Sequence, residues 1–174
     1  MNTTGPRPPA PSRPVPPSSP SSGFATTTRP LGLPFLGVAA LSLLAAPRVV
    51  LHDLGVVQEG SAVNLLLVVV PLVAWVGVAL WARVPNPFLT LLVTGACYGV
   101  VLALVHQLLW DRAFGEDPPS LGGNLALVDG GTQEVVLRVA SVGSSLVTGV
   151  VVGAVCGLVA WGLTRLVRRR PARP

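Results

Sequence analysis

The chain has 174 residues, of which 51% are hydrophobic and only 11% charged, and its mean hydropathy is +0.67. A water-soluble domain of this length could not cover so much apolar surface, so the composition excludes one and indicates an integral membrane protein. The net charge is +5, but the basic residues are spread as membrane-topology determinants, which removes nucleic acid as a partner.

The first thirty residues form a polar tail that contains nine prolines. Several of them recur every three residues, which matches the turn of a polyproline II helix. The stretch 8-PPAPSR-13 fits a PxxPxR docking pattern, although a disordered spacer explains the composition more simply. The sequence therefore predicts a disordered, proline-rich cytoplasmic tail over residues 1–30.

Four apolar segments are long enough to cross a bilayer, which takes about 20 helical residues. The first is the least regular because Pro47 and Arg48 interrupt it, and we expect Arg48 to snorkel to the surface. A cleaved signal peptide is the alternative for this segment, but the long polar stretch before it favours a retained span. The predicted spans are residues 31–51, 62–82, 88–110 and about 136–164.

The charges separate along these spans when both termini are placed in the cytoplasm. The inner side then carries nine arginines and no acid, and the outer side carries three arginines and all seven acids, as the positive-inside rule requires. Arginine without lysine, with abundant alanine, valine, glycine and proline, is typical of a GC-rich bacterial genome. The predicted fold is an all-α, four-transmembrane-helix bundle of the bacterial plasma membrane, with a membrane domain at 31–167 and a basic cytoplasmic tail at 168–174.

The outer loop, 111–135, is the longest connection, and it is rich in turn-forming Asp-Pro-Pro, Gly-Gly-Asn and Asp-Gly-Gly sequences. Its acids are either ordinary solvated residues or a site for a cation or a basic partner, and their spacing matches no calcium-binding loop. Glu134 and Arg138 have the order that favours an i,i+4 ion pair. We expect this pair to open the fourth helix.

Small residues recur every four positions along the third and fourth spans. In lipid no hydrophobic force drives helices together, so such ridges act by permitting close backbone approach. The two spans run in opposite directions, so their ridges can meet at mid-membrane, with Gly99 and Ala103 near Gly149 and Gly153. A homodimer through the fourth span is the competing use. The predicted helix-packing residues are Gly95, Gly99, Ala103, Gly149, Gly153 and Gly157.

Polar residues also cluster in the outer half of spans two to four. They either form interhelical hydrogen bonds, which contribute about 0.6 kcal/mol each, or line an outward-facing polar vestibule for a small ligand or a lipid headgroup. His106 would be the titratable member of such a vestibule, and we expect it and Gln107 to face the serines of the fourth span. The candidate vestibule residues are Asn64, His106, Gln107, Ser141 and Ser145.

Motifs for chemistry are missing from the sequence. The span centres contain no Asp, Glu, Lys or Arg, which pumps and proton-coupled carriers normally place there. There is no Walker loop, GxSxG or HExxH. Cys97 and Cys156 have neither CxxC spacing nor nearby ligands, which predicts small buried residues without a disulfide. We therefore predict no catalytic, metal-binding or cofactor-binding residue, and no enzyme.

Two functions agree with these features. The first is a non-enzymatic structural, assembly or accessory subunit that contacts membrane lipids and packs as a homo-oligomer or with another membrane protein. The alternative is a small transport or permeation component that uses the region of Asn64, His106 and Ser145 as an outer vestibule. The charge-free span centres favour the first function.

Overall fold

The structure is a computed structural model that describes Met1 and residues 31–115 and 119–168. The predicted disordered tail and most of the predicted basic tail lie outside the described residues. Within them the chain is all-helical without strands, and four helices are long and apolar enough to span a membrane. A 3-10 turn covers Gly123–Leu127. The helices are α1 (Phe35–Leu44), α2 (Ala46–Asp53), α3 (Ala62–Trp81), α4 (Pro87–Leu108), α5 (Trp110–Phe114) and α6 (Gly130–Arg168).

The first spanning helix consists of α1 and α2, which meet at Ala45. It begins at Phe35 rather than at residue 31 because Pro34 precedes it in an extended conformation. Pro47 has no amide hydrogen to donate to the carbonyl four residues earlier, so the chain turns and restarts with Pro47 in the first turn of α2. The helix then continues two residues beyond the predicted end, as far as Asp53.

The fourth helix begins at Gly130, earlier than the predicted residue 136. Asp129 caps its first turn, since its carboxylate accepts hydrogen bonds from the backbone amide of Thr132 at 3.0 Å and from the Thr132 hydroxyl at 2.7 Å. The hydroxyl bond, followed by the backbone bond, lowers the pKa of Asp129. The cap is therefore ionised and formed at neutral pH, and the irregular outer loop is shorter than predicted.

Helix α2, which completes the first span, and helix α3 end in the same capping motif. The second residue after each helix takes a left-handed conformation, and its amide and the next amide donate hydrogen bonds to carbonyls of the last turn. Gly55 supplies this residue after α2, with φ +69°, and Arg83 supplies it after α3, with φ +49°. An L-residue in this conformation costs roughly 1 kcal/mol, whereas glycine adopts it freely.

The core of the bundle lies around Trp75 of α3, whose side chain is fully buried. Its Nε1 donates a hydrogen bond to the Leu41 carbonyl of α1 at 2.7 Å, and its ring meets the Tyr98 ring of α4 edge-on, with centroids 5.9 Å apart. The hydroxyl of buried Ser42 lies 2.9 Å from the Thr94 carbonyl of α4. These contacts join three spanning helices.

Trp75→Phe is expected to lower the free energy of unfolding by about 1–3 kcal/mol, because it removes this interhelical hydrogen bond and leaves the Leu41 carbonyl without its indole donor at a buried site. Unfolding in detergent, followed by circular dichroism, measures the change. Trp81→Phe is the matched control, since Trp81 lies on the same helix with its side chain exposed. Equal losses from the two variants would contradict a specific role for the Trp75 bond.

Helices α4 and α6 approach so closely that glycine backbones touch. A Cβ atom on Gly95 would lie 2.5 Å from the Cα of Gly153, and one on Gly149 would lie 2.5 Å from the Cα of Gly99. Gly157 continues the contact, because its Cβ would lie 2.9 Å from the backbone oxygen of Phe88. The packing is therefore backbone against backbone along this face.

The register of this contact differs in detail from the predicted one. Gly153 lies beside Gly95 rather than beside Gly99 or Ala103, while Gly149 reaches both Gly95 and Gly99. A ridge that repeats every four residues interdigitates equally well after a shift of one turn, so its spacing does not specify a register. Ala103 is buried. Since α4 of the same chain occupies the α6 ridge, a second copy could not dock there without displacing α4.

Candidate functional site

The ends of α2 and α4 and the start of α6 meet at one end of the bundle, here called the acidic end. The opposite end carries Arg83, at the turn between α3 and α4, and Arg165, near the end of α6. Arg112 and Arg138 lie at the acidic end with the described acids, while the end with Arg83 and Arg165 has no acid among the described residues. The described acids of the acidic end are Asp53, Glu59, Asp111, Asp129 and Glu134.

A buried carboxylate and a histidine form the centre of the acidic end. Asp53 is the last residue of α2, and its side chain is only 5% exposed. Its Oδ2 lies 2.7 Å from Nδ1 of His106 on α4. Its Oδ1 lies 3.5 Å from Nδ1 of His52, whose Nε2 lies 3.3 Å from Glu59. Both histidines of the protein therefore lie on one chain of alternating carboxylates and imidazoles.

Asp53 was not among the predicted site residues, because the first span was expected to end at Leu51 with Asp53 in solvent. Two signals could have placed it in the helix. Gly55 is a typical residue just after a helix C-terminus, and His52 is favourable in a last turn. Both put the end of the helix near residue 54, which carries Asp53 into the bundle.

A cavity of about 630 Å³ adjoins the Asp53–His106 pair. This volume lies in the range of small-molecule sites, which are mostly apolar with a few polar groups. Trp110, Phe114 and Leu137 supply much of the apolar wall. We call this cavity the outer pocket. Its polar lining residues are His52, Asp53, His106, Arg112, Ser141 and Ser144.

Two of the five predicted vestibule residues, His106 and Ser141, line the outer pocket. The hydrogen bond of His106 goes to α2 rather than to the serines of α6. The side-chain amide of Gln107 donates to the backbone carbonyl of Arg138 on α6 at 3.3 Å. Ser145 is buried, and its hydroxyl donates to the Ser141 carbonyl at 2.7 Å. Gln107 and Ser145 therefore serve helix packing here.

Asn64, the remaining candidate, lies apart from the outer pocket. Its side-chain oxygen accepts a hydrogen bond from Nε of Arg48 at 3.2 Å. Arg48 is half-buried instead of extending freely to the surface, and it lines a second cavity of about 220 Å³ with Tyr98 and Thr148. Arg48 is one turn before His52 and Thr148 one turn after Ser144, so this inner cavity lies one turn deeper.

Helix α5 is held against α6 by Arg138. The predicted ion pair with Glu134 is confirmed at 2.7 Å, and the same guanidinium lies 3.4 Å from Asp111. It also covers one face of the Trp110 ring, 4.8 Å from the centroid. Each exposed ion pair contributes less than about 1 kcal/mol, so the main effect of this network is to position Trp110 in the pocket wall.

Metal and thiol chemistry have little support in the described part of the chain. No three His, Cys, Asp or Glu residues within it are arranged to hold a metal ion. Cys97 and Cys156 are both free thiols; Cys156 is buried in the apolar core as predicted, whereas Cys97 is only half-buried. The best candidates for a functional site are therefore the ionisable and hydroxyl side chains that line the outer pocket.

The chain matches no protein-family model, no curated protein and no solved structure. Its class is defined by the fold of the described residues, which are all-helical, with four helices able to span a membrane and a partly polar pocket at one end of them.

Proposed function

We propose that this is a non-enzymatic, multi-pass protein of the bacterial plasma membrane that binds a small amphiphilic ligand in the outer pocket, as a component of a transport or permeation system. The termini are cytoplasmic and the acidic end faces outward. Positive-inside orientation supports this arrangement, since Arg83 and Arg165 lie at the end opposite the acids.

The observation that carries the proposal is the burial of Asp53 beside an open cavity. Burying a carboxylate among apolar helices costs free energy even when it is paired, and an apolar replacement of the pair is often as stable. Ionisable residues within membrane-protein interiors therefore indicate ligand or ion sites more often than structural ones. Asp53 and His106 are both available at the wall of a pocket of suitable size.

An assembly or accessory role is the second candidate, and the outward face of α3 favours it. This face exposes a run of branched apolar side chains, including Leu65, Leu66 and Val73, which suits contact with lipid or with a transmembrane helix of another protein. The small-residue ridge of α6, which suggested a homodimer, is occupied by α4. A homo-oligomer would therefore have to use a face such as that of α3.

Ala140→Trp is the direct test of the outer pocket, because Ala140 is exposed on α6 and lines the cavity. We expect protein extracted in mild detergent to carry a bound amphiphile, visible by native mass spectrometry. Its occupancy should fall at least about tenfold when the indole fills the pocket.

Val139→Trp is the matched control, since Val139 is the adjacent exposed residue of α6 and lies outside the pocket lining. It should retain the bound amphiphile. Binding in the outer pocket would be contradicted if both variants kept the ligand or if both lost it to the same extent.

A further inference from the structure

The lining of the outer pocket restricts the chemistry of its ligand. We propose that it takes the headgroup of a membrane phospholipid that bears a primary ammonium, as in phosphatidylethanolamine. This inference rests on the proposed function and specifies the ligand of the same site. Three features of the pocket support it: the hydrogen-bond acceptors around Asp53, the exposed Arg112, and the exposed lining residues of α6.

The inner wall presents acceptors for a cationic group. The Asp53 carboxylate is nearly fully buried, and Nδ1 of His106 is its closest partner at 2.7 Å. When Nδ1 donates this bond, a neutral His106 keeps Nε2 as an acceptor. Ser141 adds a hydroxyl oxygen to the same lining. A primary ammonium has three N–H donors and one positive charge, which matches these acceptors and offsets the buried negative charge.

The aromatic part of the wall also suits an ammonium group. Trp110 and Phe114 both line the outer pocket, with ring centroids 4.6 Å apart. Aromatic faces attract cations through the ring quadrupole. The Arg138 guanidinium already covers one face of the Trp110 ring, which is only 6% exposed, so the more exposed Phe114 ring is the one that a ligand cation would contact.

The rim of the pocket has the opposite charge from its inner wall. Arg112 lines the cavity and is exposed, and a guanidinium is the side chain best suited to donate paired hydrogen bonds to a phosphate. In a phosphoethanolamine headgroup the ammonium and the phosphate are separated by only two carbon atoms. The negative charge of Asp53 and the positive charge of Arg112 therefore complement the ammonium and the phosphate of a zwitterionic headgroup, rather than a simple anion.

A lipid fits the surroundings better than a soluble amine does. Ala140 and Ser144 line the pocket from exposed positions on α6, so the cavity is open on the side of a spanning helix. Further along α6, Val147, Val151 and Val155 are exposed apolar side chains. An acyl chain could follow them while its headgroup stays at the acidic end.

The test titrates the purified full-length chain in detergent with short-chain phosphatidylethanolamine or phosphatidylglycerol, followed by native mass spectrometry and tryptophan fluorescence. Phosphatidylethanolamine is expected to bind at least about tenfold more tightly, since a charge-assisted hydrogen bond distinguishes the two. Asp53→Asn should bring the two lipids to equal affinity. Asp129→Asn removes one charge from the same end, outside the pocket lining and the Arg138 network, keeps a side chain that can cap α6, and should preserve the preference.

The remaining outcomes separate the two proposals. If both lipids bind equally and Ala140→Trp abolishes both, the headgroup inference is overturned while the outer pocket stands as a ligand site. If Ala140→Trp changes binding of neither lipid, both proposals fail for these probes. Soluble phosphoethanolamine binding as tightly as the lipid would overturn the lipid source. The wild-type preference needs no variant, so the headgroup inference stays testable even if Asp53→Asn does not fold.

Discussion

Gly149→Ala is expected to lower the free energy of unfolding by about 2 kcal/mol or more, although it adds one methyl group to the chain. The new Cβ would lie 2.5 Å from the Cα of Gly99. A backbone atom cannot rotate away as a side chain can, so α4 and α6 must separate to relieve the overlap. Their separation weakens the dispersion contacts along the whole ridge, and these are the principal attraction between helices in lipid.

Gly143→Ala is the control for helix propensity, because a Cβ at Gly143 of the same helix would meet nothing within 4 Å. It is expected to leave stability unchanged or to raise it by roughly 0.5–1 kcal/mol. Reversible unfolding in mixed micelles of a mild detergent and dodecyl sulfate compares the two variants. Equal effects at the two glycines would mean that close approach at Gly149 does not limit stability.

His106→Leu is expected to lower the free energy of unfolding by about 2 kcal/mol, because it leaves the buried Asp53 carboxylate without its closest hydrogen-bond partner. Breaking a fully buried pair costs about 3–5 kcal/mol. The smaller figure applies here because one third of the His106 side chain is exposed, so water can partly replace the imidazole. The double variant Asp53→Leu/His106→Leu removes both polar groups, and we expect it to recover stability to within about 1 kcal/mol of wild type.

A double-mutant cycle measures this recovery as a coupling free energy between Asp53 and His106. The exposed ion pair of Glu134 and Arg138 is the matched control, and its coupling should stay below about 1 kcal/mol. Additive losses at Asp53 and His106 would show that their hydrogen bond contributes little. The recovery would also separate stability from ligand binding, since the double variant should fold but lose the proposed preference of the outer pocket for an ammonium group.

The membrane helices and their packing face were predictable because both depend on local features of the sequence. The second and third spans were placed to within two residues, at Ala62–Trp81 and Pro87–Leu108, since twenty consecutive apolar residues leave few alternatives. The glycines of α4 and α6 indicated which faces meet. They could not indicate the register, because the ridge repeats every turn.

The outer pocket was harder to predict because it depends on contacts between distant residues. Asp53 and His106 are 53 residues apart in sequence, and neither has a neighbour whose spacing reveals the other. Arg48 and Asn64 likewise pair across two helices, which removes Asn64 from the predicted vestibule. The early start of α6 was readable, since Asp129 with Thr132 three residues later forms a helix-capping pattern.

Arg83 links the folded structure to the way in which the chain enters the membrane. Its left-handed conformation is one that Gly55 adopts without strain at the equivalent position after α2. Glycine would therefore relax the turn between α3 and α4, yet Arg83 carries the only charge of residues 82–86. In the proposed orientation, that charge is a signal for the insertion machinery before the helices have packed. In that orientation, biogenesis and final stability make opposite demands on one residue: the charge of Arg83 favours correct insertion, and its left-handed backbone costs stability.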